Sequence, residues 1–244
     1  MDTRGAHSTQ ESRSQVVRIP AGAVTLEGLL DIPRDASGIV LFAHGSGSSR
    51  HSPRNRYVAQ TLQQGGAATL LFDLLTAEEE QVDQRTAQLR FDIPLLAQRL
   101  VGVTDWLAAY PETRGLRIGY FGASTGAGAA LLAAAERPDA IAAIVSRGGR
   151  PDLAGNALSQ VRAPTLLIVG EFDAPVIAMN QDALRLLTVE KRIEIVPGAT
   201  HLFEEPGALE RVARLAREWF ARFLSSGSAQ PHARGEVDGP DAQP

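Results

Sequence analysis

Short apolar runs alternate with helical patterns along most of this chain, and this alternation limits the fold more than any other feature. Runs that are almost continuously apolar are typical of strands whose two faces are both covered by helices. The sequence therefore predicts an α/β fold, with a largely parallel sheet of about eight strands and helices on both faces. The apolar runs lie at 38–44, 68–75, 116–122, 140–146, 164–170 and 192–198.

Finer patterns predict the remaining strands and the helices. Two amino-terminal runs, VVRIP and VTLEGLLDIP, precede the others, and the alternation in the second is typical of an antiparallel edge. Apolar residues recur on one helical face over 93–107 and over 209–223. The Ala-rich segment after Ser124 predicts another helix, which ends before Pro138. No insertion is long enough to form a large cap domain.

Polar segments rich in Gly, Pro and Ser flank these patterns. Residues 1–14 and 225–244 have no periodic apolar positions. We therefore predict a mobile amino-terminal tail and a disordered carboxy-terminal tail. Residues 15–224 then form one domain, which is an ordinary size for an α/β sheet protein.

Composition argues against several classes of protein. The chain has no cysteine, which excludes disulfides, thiolate metal sites and a cysteine nucleophile. A formal net charge of −4 with scattered basic residues argues against nucleic acid or an anionic membrane as partner. The amino terminus lacks the apolar segment of a secretory signal peptide, so we expect a cytoplasmic protein with a small-molecule substrate. The sequence leaves monomer and homodimer open.

One glycine-rich segment carries the clearest chemical motif. Gly122-Ala123-Ser124-Thr125-Gly126 matches G-x-S-x-G between a predicted strand and a predicted helix. A sharp turn there lifts the serine Oγ clear of the sheet, and the helix amino terminus supplies N–H donors. We predict that Ser124 is a nucleophile. A tight glycine turn with a buried or capping serine is the alternative.

A serine hydroxyl needs a positioned base, and chain order selects one. His201 is the histidine that follows a strand and also comes after both the serine and a suitable acid. Asp173 follows the preceding strand, 28 residues before His201, and completes the order Ser, Asp, His. Glu171 and Asp152 are alternative acids, and Asp173 in this position is also suited to capping a helix.

Acyl transfer also needs donors for the oxyanion. The backbone N–H of Thr125, directly after the nucleophile, is one expected donor. The segment HGSGSSRHSPRN offers small residues after the first buried strand, and we assign the second donor to the Ser46 N–H, with the Gly45 N–H as the alternative. His44 is interpreted as organising this loop.

Taken together, LFAHGSGSS, GASTG, GEFDAPV and GATHLFEEPG resemble the α/β-hydrolase superfamily, and within it the small dienelactone-hydrolase-like proteins, over residues 16–224. The resemblance implies the α/β-hydrolase fold with an eight-stranded, mostly parallel sheet, a triad of Ser124, Asp173 and His201, and no cofactor. Dienelactone hydrolases proper use a cysteine nucleophile, so their lactone specificity is not carried over to a chain with Ser124. The serine-bearing relatives behave as esterases of broad or unassigned range.

Arginines close to the predicted site offer a hint about the substrate. A guanidinium that points inward would pair with a carboxylate or a phosphate, and Gly45, Arg54 and Arg147 are the candidate substrate-binding residues. Solvated surface arginines are the plainer interpretation. The arginines are Arg50, Arg54, Arg56, Arg147 and Arg150.

The sequence thus predicts a serine hydrolase that cleaves small carboxylic esters through an acyl-enzyme, without metal or cofactor. Lactone or amide hydrolysis and acyl transfer use the same machinery and remain alternatives. A catalytically idle binding protein of the same fold is another. A nucleotide-dependent enzyme is disfavoured, because its G-x-G-x-x-G motif would lie at the first strand-to-helix turn.

Overall fold

An eight-stranded sheet organises residues 13–225, the part of the chain that the computed structural model describes. The strand order across the sheet is β1-β2-β4-β3-β5-β6-β7-β8. The strands are β1 (Arg13–Ala21), β2 (Val24–Ile32), β3 (Gly38–Ala43), β4 (Ala68–Phe72), β5 (Arg117–Ala123), β6 (Ile141–Arg147), β7 (Thr165–Gly170) and β8 (Lys191–Val196).

Strand direction confirms the mostly parallel sheet. β3 pairs with β4 and β5 in parallel, and β5, β6, β7 and β8 continue that direction. β1 and β2 pair antiparallel, and β2 pairs antiparallel with β4, as the alternating second run predicts. The carboxyl ends of the parallel strands consequently meet at one edge, where the predicted site residues lie.

Helices cover both faces of the sheet, and none of those described is long and apolar enough to cross a bilayer. Within residues 13–225 no large cap domain is inserted. The helices are α1 (Pro53–Gln64), α2 (Ala77–Thr86), α3 (Ile93–Ala109), α4 (Thr125–Glu136), α5 (Ala174–Leu186) and α6 (Ala208–Leu224), with 3₁₀ segments at Leu89–Phe91 and Pro151–Gln160.

The period-two geometry of the strands divides the core into two layers. Along β3, Leu41 packs in the layer that contains α3 and α4, whereas Val40 and Phe42 pack in the layer of α1 and α6. Both faces of this strand are buried, which explains why its sequence is a continuous apolar run.

Two local features of the structure differ from the sequence prediction. β1 begins at Arg13, two residues before the predicted start of the domain at residue 15. The acidic segment after β4 forms α2, a helix that the apolar patterns of the sequence do not predict. The rest of the predicted tails, residues 1–12 and 226–244, lies outside the described residues.

Candidate active site

Ser124 occupies a strained turn between β5 and α4. Its backbone has φ 49° and ψ −122°, a region that residues with a side chain rarely adopt. Such a conformation costs on the order of 1–3 kcal/mol and persists only where the surroundings impose it. Its N–H donates to the Arg147 carbonyl oxygen at 3.2 Å, and its own carbonyl accepts from the Ala127 and Arg150 N–H groups, each at 3.1 Å.

The glycines of the motif are required by close packing of this turn. A Cβ at Gly126 would lie 2.2 Å from the Ala43 carbonyl oxygen, and one at Gly122 would lie 2.4 Å from the Ala127 Cα. Both obstructing atoms belong to the backbone and cannot rotate away. The start of α4 therefore sits directly against the end of β3, which holds the serine at the strand edge.

His201 and Asp173 meet from two neighbouring strand ends. Asp173 follows β7 and His201 follows β8, and the histidine Nδ1 lies 2.6 Å from the Asp173 Oδ2. The Asp173 side chain is 14% exposed and that of His201 is 40% exposed. The carboxylate is thus largely shielded, while one side of the ring stays accessible.

The alternative acids are engaged elsewhere. Glu171 Oε2 accepts from the Gly198 N–H at 2.7 Å, and Asp152 pairs with Arg150 at 2.7 Å. Asp173 stands at the cap position of α5, but its side chain makes no capping hydrogen bond. The carboxylate that the structure brings to His201 is therefore that of Asp173.

Ser124 and His201 each contact the residues at the end of β6. The Ser124 N–H is bonded to Arg147, and the next residue, Gly148, has φ 50° and lies against the His201 loop. A Cβ at Gly148 would be 3.2 Å from the His201 carbonyl oxygen and 3.5 Å from its ring Cε1. The Ser124 Oγ makes no hydrogen bond within residues 13–225, and such contacts in unliganded enzymes commonly tighten only with substrate.

The loop after β3 lies directly beside the serine. A Cβ at Gly45 would be 3.0 Å from the Ser124 Cβ, so only glycine fits there without displacement. The Ser46 N–H, predicted to face the oxyanion, donates instead to the Thr125 Oγ1 at 3.0 Å. The Thr125 N–H, at the first turn of α4, donates to no group within the described chain.

His44 holds this loop in place. Its Nε2 accepts from the Leu74 N–H at 3.1 Å, so the ring proton resides on Nδ1, which donates to the Gly45 carbonyl oxygen at 3.0 Å. Desolvation by burial lowers the pKa of His44, against a smaller opposing effect of the Gly45 carbonyl. The neutral ring therefore links the loop to the end of β4.

The arginines near the site differ sharply in their surroundings. Arg50 is paired with Asp73 and Glu27, and Arg54 is paired with Glu204 at 2.8 Å. Arg147 is 9% exposed, and its Nε and Nη1 are buried without an acceptor within residues 13–225. Burial, and secondarily the charge of Arg54, lowers the pKa of Arg147 to about 10, which leaves it charged at neutral pH.

Two depressions adjoin the oxyanion loop. An open cleft of about 940 Å³ includes Ser46 and Arg54 in its wall. A much smaller pocket is lined by Gly45, Ser46 and Thr125 together with both leucine and charged side chains. Neither has Ser124 or His201 in its lining. Within residues 13–225 no three His, Asp or Glu side chains are grouped so as to hold a metal ion.

Sequence reasoning missed two features of this site. One is the Thr125 side chain as acceptor for Ser46, and the other is Glu204 as the partner of Arg54. Glu204 lies three residues after His201, but the sequence does not indicate which distant residue an acidic loop side chain will pair with. The Thr125 hydroxyl sits inside the serine motif, at a position that the motif leaves free.

Proteins of known structure resemble this chain in sequence and in fold. A crystal structure of a dienelactone hydrolase from Anabaena variabilis ATCC 29413 is 66% identical, superposes with a TM-score of 0.86, and is matched over 99% of its length and 87% of this chain. A carboxyl esterase from the fungus Tuber melanosporum is 19% identical, with a TM-score of 0.69 over 89% of each chain, which shows the shared fold.

Curated relatives carry a different name. A Mycobacterium tuberculosis H37Rv protein with a provisional phosphoribosyl transferase name is 59% identical over 212 residues, or 87% of this chain and 47% of its own length. The chain thus spans about half the length of the curated relatives it matches. The profile of the Dienelactone hydrolase family matches residues 26–225. With an α/β-hydrolase fold and a match over most of its length, this chain belongs to the dienelactone hydrolase family.

Proposed function

We propose that this protein is a serine-dependent hydrolase of small carboxylic esters that works through an acyl-enzyme. The observation that carries the proposal is the 2.6 Å contact between the His201 Nδ1 and the Asp173 Oδ2 at the strand edge that presents Ser124. A carboxylate in this position fixes the imidazole with its proton on Nδ1 and leaves Nε2 free to act as a base. Family membership and esterase neighbours of the same fold support hydrolysis as the reaction class.

The proposed reaction has two balanced halves. The Ser124 Oγ attacks the ester carbonyl as His201 Nε2 takes its proton, and the carbonyl π electrons move onto the oxygen. The tetrahedral intermediate then expels the alcohol, which receives that proton from His201. In the second half His201 deprotonates a water that attacks the acyl-enzyme, and the Ser124 oxygen leaves with the proton. Asp173 stabilises the imidazolium in both halves.

Oxyanion binding is assigned to the start of α4, which the loop after β3 packs against. The Thr125 N–H has no competing acceptor within residues 13–225, and the Ser46 loop lies against the same turn. Gly45 lets this loop pack closely on the nucleophile turn, because a Cβ there would lie 3.0 Å from the Ser124 Cβ and 3.1 Å from the Ala123 carbonyl oxygen. A donor held in this way is fixed before substrate binds, which is the condition for efficient electrostatic stabilisation.

Arg147 is proposed to bind an anionic group on the substrate. A buried guanidinium without an acceptor is costly, and a carboxylate or phosphate would satisfy it. Arg54 is the second candidate, since its positive charge contributes to lowering the pKa of Arg147. Its pairing with Glu204 leaves it less available than Arg147.

Hydrolysis of p-nitrophenyl acetate by purified variants tests the proposed function. We expect Ser124→Ala and His201→Ala to lower kcat by about 1,000-fold or more, and Asp173→Asn to lower it comparably because the wrong tautomer is favoured. Asp152→Asn is the matched control, since its carboxylate pairs with Arg150. A wild-type protein whose hydrolysis survives Ser124→Ala would contradict the proposal.

The alternatives give different substrate profiles in the same assay. Faster turnover of amides or lactones, or transfer of the acyl group to an added alcohol, would change the reaction assigned to the same residues. Phosphoribosyl transfer by the folded protein without any ester hydrolysis would favour the name carried by the longer relatives.

A further inference from the structure

The Ser46 N–H is already engaged in the resting site. It donates to the Thr125 Oγ1 at 3.0 Å. A backbone N–H carries a single hydrogen, so a well-formed bond to a hydroxyl weakens any second bond that it makes. A direct Ser46 donor to the oxyanion would have to give up this contact during the reaction.

The Thr125 hydroxyl has a proton to donate in return. A hydroxyl has one proton and two lone pairs, and one lone pair accepts from Ser46. The proton has no acceptor within residues 13–225 in the resting structure, although the side chain is only 4% exposed. A buried hydroxyl of this kind is expected to donate to something that binds there.

Two unpaired donors therefore lie on one residue, directly after the nucleophile. Within residues 13–225 neither the Thr125 N–H, at the amino terminus of α4, nor the proton of its hydroxyl has an acceptor. Donation from Ser46 to the hydroxyl oxygen polarises the O–H bond and strengthens it as a donor. Gly45, Ser46 and Thr125 also line one small pocket, whose wall includes three leucines as well as the side chains of His44, Glu80 and Arg90.

We propose that the Thr125 hydroxyl donates to the oxyanion of the acyl-transfer intermediate, and that Ser46 acts through this hydroxyl and not on the oxyanion itself. The inference rests on the proposed function. Thr125 is then a catalytic residue that supplies both its N–H and its O–H. Ser46 is a positioning residue that orients and polarises the hydroxyl.

Replacing Thr125 separates this arrangement from a direct Ser46 donor. Thr125→Val keeps the shape of the side chain and removes the hydroxyl, Thr125→Ala removes it without overpacking, and Thr125→Ser retains it. We expect Val and Ala to lower kcat for p-nitrophenyl acetate by about 100-fold with KM little changed, and Ser to stay within about threefold of the wild type. Thr86→Val, which removes an exposed hydroxyl on α2 that bonds to the Val82 carbonyl oxygen of the same helix, is the matched control and should be nearly neutral.

A tetrahedral analogue gives a second readout that packing alone would not move. An alkyl trifluoromethyl ketone forms a hemiketal oxyanion on the serine, so its inhibition constant should rise across the variants in proportion to the loss of kcat/KM. Thermal unfolding of each variant shows whether the fold is retained.

The possible results are distinct. Activity of Thr125→Val equal to or above that of the wild type would identify the released Ser46 N–H as the donor and overturn the inference. Equal losses in Val, Ala and Ser, with unchanged inhibition by the ketone, would mean a packing role and overturn it as well. A wild-type protein without any hydrolase activity would overturn the proposed function, and this inference with it.

Discussion

Hydrogen bonds made or left unmade by individual residues determine the conformation of this site. Ser124 keeps a positive φ because its backbone is bonded to Arg147, Ala127 and Arg150 at once. Asp173 is free for His201 because it makes no capping bond to α5. Arg147 differs from both, because its buried Nε and Nη1 have no acceptor within residues 13–225.

Arg147 leads to a prediction about substrate charge. We expect the wild type to hydrolyse the mono-p-nitrophenyl ester of succinic acid in preference to p-nitrophenyl acetate. Arg147→Met should reduce that preference by about 10- to 100-fold, the equivalent of one charge-assisted hydrogen bond. The measurement is the ratio of kcat/KM for the two esters. The exposed Arg56→Met on α1 is the control, and an unchanged ratio in Arg147→Met would exclude Arg147 as the anion site.

At the scale of elements, apolar pattern and chain order carried most of the prediction. All eight strands and the helix after Ser124 follow from runs and periods in the sequence, because both faces of the sheet are buried. Chain order at the strand ends was enough to nominate Ser124, Asp173 and His201. The bond from Ser46 to Thr125 was not predictable, since it depends on how one loop packs against the start of a distant helix.

α2 shows why a helix can escape prediction by apolar pattern. Its sequence has few apolar residues, and polar contacts hold it. Thr76 and Glu79 form a capping box, and Asp83, which is only 1% exposed, accepts from Arg90 N–H and Nε at 3.0 and 2.5 Å. Burial alone would raise the pKa of Asp83, but the hydrogen bonds and charge of Arg90 outweigh it and lower the pKa.

Removing the Asp83 charge should loosen α2 and the turn after it. We expect Asp83→Asn to lower the free energy of unfolding by about 2 kcal/mol, with faster hydrogen exchange over residues 77–91. A carboxylate whose pKa is lowered by folding stabilises above its unfolded pKa, and this stabilisation is lost as pH falls through the folded value. The difference between wild type and Asp83→Asn should therefore shrink in acid.

Chemical denaturation at several pH values measures both effects. Asp182→Asn, which removes an exposed pair with Arg185, is the control and should change stability by less than about 0.5 kcal/mol. Equal stability of wild type and Asp83→Asn at neutral pH would show that this contact does not hold α2.

For the molecule as a whole, contacts between the loops at the carboxyl edge and the sheet link the site to the stability of the fold. His44 makes one such contact, because its neutral ring joins the loop after β3 to Leu74, two residues after the end of β4. Folding lowers its pKa from the reference value of 6.5. Below that value the unfolded chain binds a proton that the folded protein resists, so unfolding becomes more favourable.

Stability should consequently fall as pH is lowered from about 7 towards 5. His44→Gln cannot titrate, and its amide oxygen can still accept from Leu74, so the variant should lose part of this pH dependence. Urea denaturation of both proteins across this range provides the test. His51→Gln, in the exposed part of the loop, should retain the wild-type slope. Parallel slopes for wild type and His44→Gln would rule out His44 as a source of the effect.

Covalent labelling tests whether Ser124 is an activated nucleophile. Intact mass and peptide mapping after treatment with a fluorophosphonate should show one adduct on the wild type, located at Ser124, with none on Ser124→Ala and a greatly slowed reaction on His201→Ala. A folded wild-type protein that stays unlabelled, or an adduct that persists in Ser124→Ala, would contradict the account.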